Sequence, residues 1–491
     1  MTASIQTPHI DWLTLSPELS LLAAGALCLL VAVLTPPSWR RGLGAFFALA
    51  GFVTAAIFAG VVFHRSVDPS LQVGDAIVRD RLGMFGAFIV CGSGILALFT
   101  SYGHRMRKEY VAEYYALLVT AGAGMCFLLQ AHNLITLFLG LEWFSIALYV
   151  ICAIDMELET SLESGLKYLV IGSFGSAVLL FGSALVYGAT GQVEFSAIAA
   201  NGNPHDAMFV AGLAMMLVGL AYKASAAPFH QWTPDVYQGA PTPVTAFMSA
   251  ATKATALIVM LRVLRTAFPQ EAHLWTIVVA VLACASLAVG NLAALAQKDV
   301  KRMLAYSSIS QAGFMLIPIA SNNSLGARGL LYYLIPYCAA AVGSFAVVAA
   351  RERELQAPVT FDTLSGMGWE RPFLGASMWV FMLGFAGFPL TGGFVGKFYA
   401  FSAAYDRGWV WLMIVGVVAT VISLYYYLGV VRAMYFRTPA ELQLLPAGGS
   451  PPREVALQIG VGLALAVTVG SFFAVEPLIE IARKAAETLV F

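Results

Sequence analysis

Apolar residues follow one another along this chain in long runs, separated by short polar connections. A helix needs about 20 apolar residues to cross the hydrocarbon of a bilayer. About fourteen runs meet that length. They lie near residues 16–35, 42–63, 82–101, 111–131, 133–154, 165–189, 207–228, 243–265, 274–297, 303–320, 326–350, 373–404, 408–436 and 454–476. The longer connections, 64–81, 190–206, 351–372 and 437–453, carry the Pro, Gly, Asn and charged residues expected of loops. The tail from Glu476, with Glu480, Arg483, Lys484 and Glu487, predicts an amphipathic helix at the membrane surface. The pattern therefore predicts an all-α polytopic membrane protein.

Composition agrees. Of 491 residues, 59% are hydrophobic and only 11% charged, against about 25% charged in soluble domains. A surface facing water cannot be covered with that supply, which excludes a soluble enzyme, a nucleic-acid binder and a disordered chain. The net charge is zero, so no acidic partner is implied. The six cysteines stand singly in apolar runs without paired spacing, and read as small buried side chains. No Lys or Arg precedes Arg40, while Asp11 and Glu18 stand at or before the first run, so that run is expected to be a retained span and not a cleaved signal. With the N-terminus outside, fifteen Lys and Arg fall in inside connections and nine outside. The positive-inside rule then predicts both termini on the outer side.

Four charges remain inside apolar runs: Glu142, Lys223, Lys253 and Lys397. Each costs roughly 2.5–3.5 kcal/mol at the centre of a spanning helix. They must face one another or water inside the protein. Three uses would justify them: ion pairs that lock helices, substrate binding, or transfer of protons or cations. All three bases are Lys. Arg cannot release its proton in a protein, whereas a buried Lys can, and moving a carboxylate such as Glu142 toward or away from Lys223 would load or release one. None of the seven His falls in mid-span, but His230 is a candidate relay just after the seventh span. Lys167 is a further secondary candidate. Ser307, Ser308, Ser310 and Gln311 in the tenth span read as interhelical hydrogen bonding or as the lining of a water chain.

Two of the lysines adjoin helix breakers. Lys223 stands in LAYKASAAPFHQWTPDVYQGAPTPVTAF, which holds Pro228, Pro234, Pro241 and Pro243. Lys397 stands in GFAGFPLTGGFVGKFYAF, after Pro389, Gly392 and Gly393. Broken helices at membrane depth survive only when buried in protein or lining a wet cavity. They fall in the seventh and twelfth spans, an odd separation, so the two helices run in opposite directions. That predicts two inverted five-helix repeats with broken helices 7 and 12. The expected division is 1–110 for spans 1–3, 111–272 for spans 4–8, 273–437 for spans 9–13, and 438–491 for span 14 and the tail. No GxGxxG follows a strand, and there is no GxxxxGK[ST], mid-membrane His pair or Cys cluster. No cofactor or metal is expected in this chain, and the energy for transport must come from another subunit or an ion gradient.

The segments PFHQWTPDVYQGAPTPVTAFMSAATKA, KRMLAYSSISQAGFML and GFPLTGGFVGKFYAF resemble the antiporter-like membrane subunits of respiratory complex I, the bacterial NADH–quinone oxidoreductase. The WTPDVYQGAPTPVTAF stretch points to the subunit-N branch, and length and span number agree over the whole chain. The resemblance implies proton translocation, with Glu142 as the fifth-span glutamate, Lys223 as its seventh-span partner, Lys253 on the central hydrophilic axis and Lys397 as the twelfth-span lysine. It implies a bacterial inner-membrane location and other membrane-arm subunits, including sister antiporter-like subunits, as partners. FMN, iron–sulfur clusters and quinone would lie in other subunits. A subunit of the related multi-subunit sodium/proton antiporters is the alternative.

Overall fold

The computed structural model describes residues 10–104, 106–436 and 454–489. The expected connection 437–453 and its Arg437 and Arg453 lie outside the described residues, as does Arg105. Three helices come first: α1 (Ser16–Leu34), α2 (Pro37–Arg65) and α3 (Arg81–Ser101). Next come α4 (Val111–Leu129), α5 (Leu134–Cys152), α6 (Glu159–Thr190), the short α7 (Phe195–Asn201), α8 (Ala207–Lys223) and α9 (Trp232–Gly239). Then α10 (Thr242–Phe247) passes through a π turn (Met248–Thr252) into α11 (Lys253–Thr266). A second group follows: α12 (Ala272–Leu295), α13 (Val300–Ser321), α14 (Ser324–Leu355), the short α15 (Met367–Glu370), α16 (Pro372–Ala386), α17 (Gly392–Asp406) and α18 (Val410–Phe436). The chain closes with α19 (Val455–Phe473) and α20 (Val475–Glu487).

Among the described residues, 12 helices are long and apolar enough to cross a membrane, counting α10 to α11 as one. Two further crossings are broken, α8 with α9 and α16 with α17. The order repeats: the third helix of each five-span group, α6 and α14, is 32 residues long, and the fourth is the broken one. The expected loop at 64–81 contains a small hairpin, β1 (Ser70–Gln72) and β2 (Ile77–Arg79). It is too short to register in a pattern dominated by spans. It rests on the α4–α5 turn, where Val78 N donates to Gln130 O at 2.8 Å and His132 N to Ala76 O at 3.1 Å.

Both breaks are closed by local chemistry. After α8, Ser225 takes a left-handed φ of 60°, and Ala226 N returns to Ala221 O at 2.9 Å. The Trp232 indole, which opens α9, donates to Tyr222 O at 3.1 Å. After α16, Gly387 has φ 77°, and Phe388 N reaches back to Leu383 O at 2.9 Å. These are the left-handed terminations by which helices commonly end. The start of α17 then packs directly on the end of α16. A Cβ on Gly393 would stand 2.9 Å from the carbonyl carbon of Gly384, so only glycine fits.

The first three helices are tied to the rest by a buried ion pair. Asp80 caps α3, accepting from Gly83 N at 2.8 Å. Its two oxygens also receive Arg262 of α11, Nη1 at 2.7 Å and Nη2 at 2.9 Å. Both side chains are excluded from solvent. Arg262 stands near the end of the expected span 243–265, where a basic residue is read as a span-end charge; the packing of α11 instead buries it completely. Removing one partner of such a pair strands the other's charge at a cost of about 3–5 kcal/mol. Asp80→Ala is therefore expected to lower the thermal unfolding midpoint of the detergent-solubilised chain markedly. The Asp80→Leu/Arg262→Met double variant should lower it less, because it strands no charge.

Candidate functional site

Lys223, the last residue of α8, donates from Nζ to Ser145 Oγ of α5 at 2.7 Å and reaches Tyr168 OH of α6 at 3.4 Å. The rings of Phe144 and Tyr168 flank the ammonium, with centroids 4.5 and 5.2 Å away. Aromatic faces stabilise a desolvated cation without supplying a counter-ion. Ser145 Oγ in turn donates a hydrogen bond to Leu141 O.

The expected contact between Lys223 and Glu142 is not made as an ion pair. Three residues along a helix turn the side chain by about 300°, so Glu142 points about 60° away from Ser145. It lies on the outward stripe of α5 with Ile135, Leu139, Ile146 and Val150, all exposed. Glu142 is itself half-buried, and its Oε1 is sheltered from solvent with no hydrogen-bond partner.

Lys253 opens α11 directly after the π turn. Its Nζ donates to Ser308 of α13 twice, to the carbonyl at 2.5 Å and to Oγ at 2.8 Å. A π turn frees main-chain groups that need new partners. Here α14 supplies one and adds to another: Tyr337 OH donates to Ser249 O at 3.1 Å, and Cys338 Sγ reaches Ala250 O at 3.6 Å, which also accepts from Lys253 N.

Lys397, in α17, donates back across the break to Ala386 O at 3.2 Å, with the Phe314 ring 3.9 Å from Nζ. The last four carbonyls of α16 are thereby all satisfied. Leu383 O accepts from Phe388 N and Gly384 O from Gly387 N. Phe385 O accepts from Gln311 Nε2 at 2.9 Å and Ala386 O from Lys397. Lys223 and Lys397 thus both stand at the C-terminal end of a half-helix, where the dipole favours a cation.

A polar track crosses the space between Lys253 and Lys397. Beside Ser308, Ser307 bonds Tyr427 OH of α18 at 2.6 Å. Tyr427 OH also accepts from Gln311 Nε2 at 3.0 Å, and Gln311 Oε1 accepts from Tyr333 OH at 2.5 Å. Alongside lies a cavity of about 10 Å³ bordered by Ser249, Ser307, Ser308, Tyr337 and Phe385, which is room for one water. Ser310 turns instead to Asn291, at 3.0 Å, which Tyr426 OH also reaches at 2.8 Å.

The secondary candidates lie elsewhere. Lys167 pairs with Glu163 at 2.7 Å and Asp235 at 2.9 Å, and Arg302 shares Asp235 at 2.6 Å. This network borders a cavity of about 520 Å³ at the α9–α10 connection. His230 is half-buried after the first break, its Nδ1 sheltered and without a hydrogen-bond partner. No hydrogen bond or ion pair joins Lys167 or His230 to the three lysines among the described residues. The sequence reading missed Tyr333, Tyr427 and Asn291, because tyrosine in an apolar run reads as bulk. It also set Glu18 at the edge of the first span, whereas α1 buries it against Gln130, whose Nε2 donates to it.

Comparison with known proteins fits this arrangement. The sequence profile of the family "NADH:quinone oxidoreductase/Mrp antiporter, TM" matches residues 131–423, which include Glu142, Lys223, Lys253 and Lys397. A NADH-quinone oxidoreductase subunit N of Trichlorobacter lovleyi is 40% identical over 87% of this chain and 88% of its own. The corresponding protein of Paramagnetospirillum magneticum is 36% identical over 98% of both. Among solved structures, a chain of respiratory complex I from Thermus thermophilus superposes with a TM-score of 0.77 at 32% identity, covering 94% of this chain and 98% of its own. A chain of the Mrp complex from Dietzia sp. gives a TM-score of 0.83 over 97% of both chains at 22% identity, a likeness of fold alone. The fold is thus shared more widely than the sequence, and it is the sequence that assigns the branch. The chain belongs to the NADH-quinone oxidoreductase subunit N family of antiporter-like membrane subunits.

Proposed function

We propose that this chain moves protons across the membrane as the N-type membrane-arm subunit of a NADH–quinone oxidoreductase, and that Glu142, Lys223, Lys253 and Lys397 hold and pass those protons. One observation carries the reading: the ammoniums of Lys223, Lys253 and Lys397 are each held by neutral oxygens and not by a carboxylate. A carboxylate partner would be stranded whenever its lysine lost a proton. A serine hydroxyl is not, because it accepts from an ammonium and can turn to donate to an amine. Ser145 and Ser308 therefore let Lys223 and Lys253 change charge without leaving a buried ion alone. The Ser307–Tyr427–Gln311 track and its one-water cavity supply a route between Lys253 and Lys397.

Electron transfer from NADH to quinone belongs to other subunits of the complex, with their FMN and iron–sulfur clusters, and no redox step is assigned to this chain. Residues 111–272 and 273–437 act as the two inverted halves. Both termini lie on the outer side of a bacterial inner membrane. The outward position of Glu142 supports a contact of α5 with another membrane-arm subunit, since an ionised carboxylate facing hydrocarbon is costly. A sodium/proton antiporter subunit would share the fold; co-purification with redox subunits or with antiporter subunits separates the two.

Arginine separates proton transfer from permanent pairing, since it keeps the charge but cannot release a proton. Lys223→Arg and Lys397→Arg should assemble normally, yet NADH-driven acidification in vesicles, normalised to assembled complex, should fall by an order of magnitude or more. Lys253→Arg should lose as much or less, since water in the adjoining cavity offers a bypass. Near-normal pumping by both of the first two would defeat the relay. Glu142→Gln should insert normally and pump poorly; unchanged acidification would remove Glu142 from the path.

A further inference from the structure

At the face opposite the Lys167 network, a cavity of about 600 Å³ opens between the end of α11, the α13–α14 turn and α20. Three arginines line it: Arg265, Arg328 and Arg483. Arg483 is committed to Glu480 and Glu487 on its own helix. Glu487 also lines the cavity, but among the described residues neither Arg265 nor Arg328 makes an ion pair with it or with any other carboxylate. Arg265 donates from Nε to the neutral Asn322 side chain at 3.0 Å, and Arg328 Nε is buried with no hydrogen-bond partner. The cavity therefore carries two uncompensated guanidiniums on two different helices. Partly buried charge of this kind is costly unless an opposite charge joins it. The forked donors of arginine match the oxygens of a phosphate. Ser324, the first residue of α14, lies in the same wall, so the positive end of that helix also faces the cavity.

We infer that this cavity binds the phosphate of a membrane phospholipid, gripped between Arg265 and Arg328. A soluble phosphate has the same headgroup chemistry, but the surroundings favour a lipid. Trp275 of α12 lines the cavity. Trp275 is itself buried, and the exposed Ile277, Val278 and Val281 lie farther round α12. Depth is what favours a lipid, because the cavity lies where α11 ends and α12 and α14 begin, at the level of a bilayer's headgroups, beside the amphipathic α20. The bound phosphate would bridge α11 to α14 beside α20, the amphipathic helix that covers this end of the bundle.

The test uses the detergent-solubilised complex, stripped of lipid and then supplied with phosphatidylglycerol, diacylglycerol or inorganic phosphate, with thermal unfolding as the readout. Phosphatidylglycerol should raise Tm by a few degrees. The gain should shrink in Arg265→Gln and in Arg328→Gln and vanish in the double variant. If the double variant fails to assemble, Arg265→Lys and Arg328→Lys keep the charge but lose the fork, and should need several-fold more lipid for the same gain. An equal gain from diacylglycerol, or a gain untouched by any of these substitutions, overturns the site. An equal gain from inorganic phosphate at the same concentration overturns the lipid as its occupant.

Discussion

Inside a bilayer, every main-chain group released by a broken helix must find its partner within the protein, because no water stands ready to replace it. The two breaks in this molecule and its buried lysines answer each other under that constraint. The end of α16 exposes four carbonyls, and the last of them is taken by Lys397. The end of α8 places Lys223 where the helix dipole is negative. Without the breaks the ammoniums would lack a polar setting, and without an ammonium the Ala386 carbonyl would lack its donor.

The same economy governs what surrounds each charge. Lys223 is set among aromatic faces and a serine, Lys253 on one serine, Lys397 on a carbonyl and a phenylalanine ring. By contrast, the arginine that serves architecture, Arg262, has a bidentate carboxylate. Arg262, which cannot change charge, is given a fixed counter-ion, and the three mid-span lysines, which can, are given partners able to tolerate either state.

Much of this was legible in the sequence because it rests on residues that are out of place in an apolar run. Lys223, Lys253 and Lys397 stand out against leucine and alanine, and Pro228, Pro389, Gly392 and Gly393 mark the breaks beside two of them. What could not be read depends on angles or on distant partners. The 60° between Glu142 and Ser145 decides which of them meets Lys223, and a run of letters holds both at the same depth. The π turn before Lys253 follows from its packing on α14 and leaves no mark in MSAAT. Asp80 and Arg262 lie far apart along the chain, so each reads alone as a charge at the end of a span. Tyr427 joins the polar track through one oxygen on a side chain otherwise as apolar as its neighbours.

The join between α16 and α17 also bears on how motion can travel through the molecule. A broken helix invites the picture of a hinge, but this one is clamped. Its left-handed corner is hydrogen-bonded, its exposed carbonyls are occupied, and Gly393 lies against the backbone of Gly384 with no room for a methyl group. The elbow is stiff where a hinge would need slack. A disturbance arriving from elsewhere in the assembly would then leave the backbone here in place, and would act through what is free to respond: a rotating hydroxyl, a swinging ammonium, or a water entering or leaving a space of its own size.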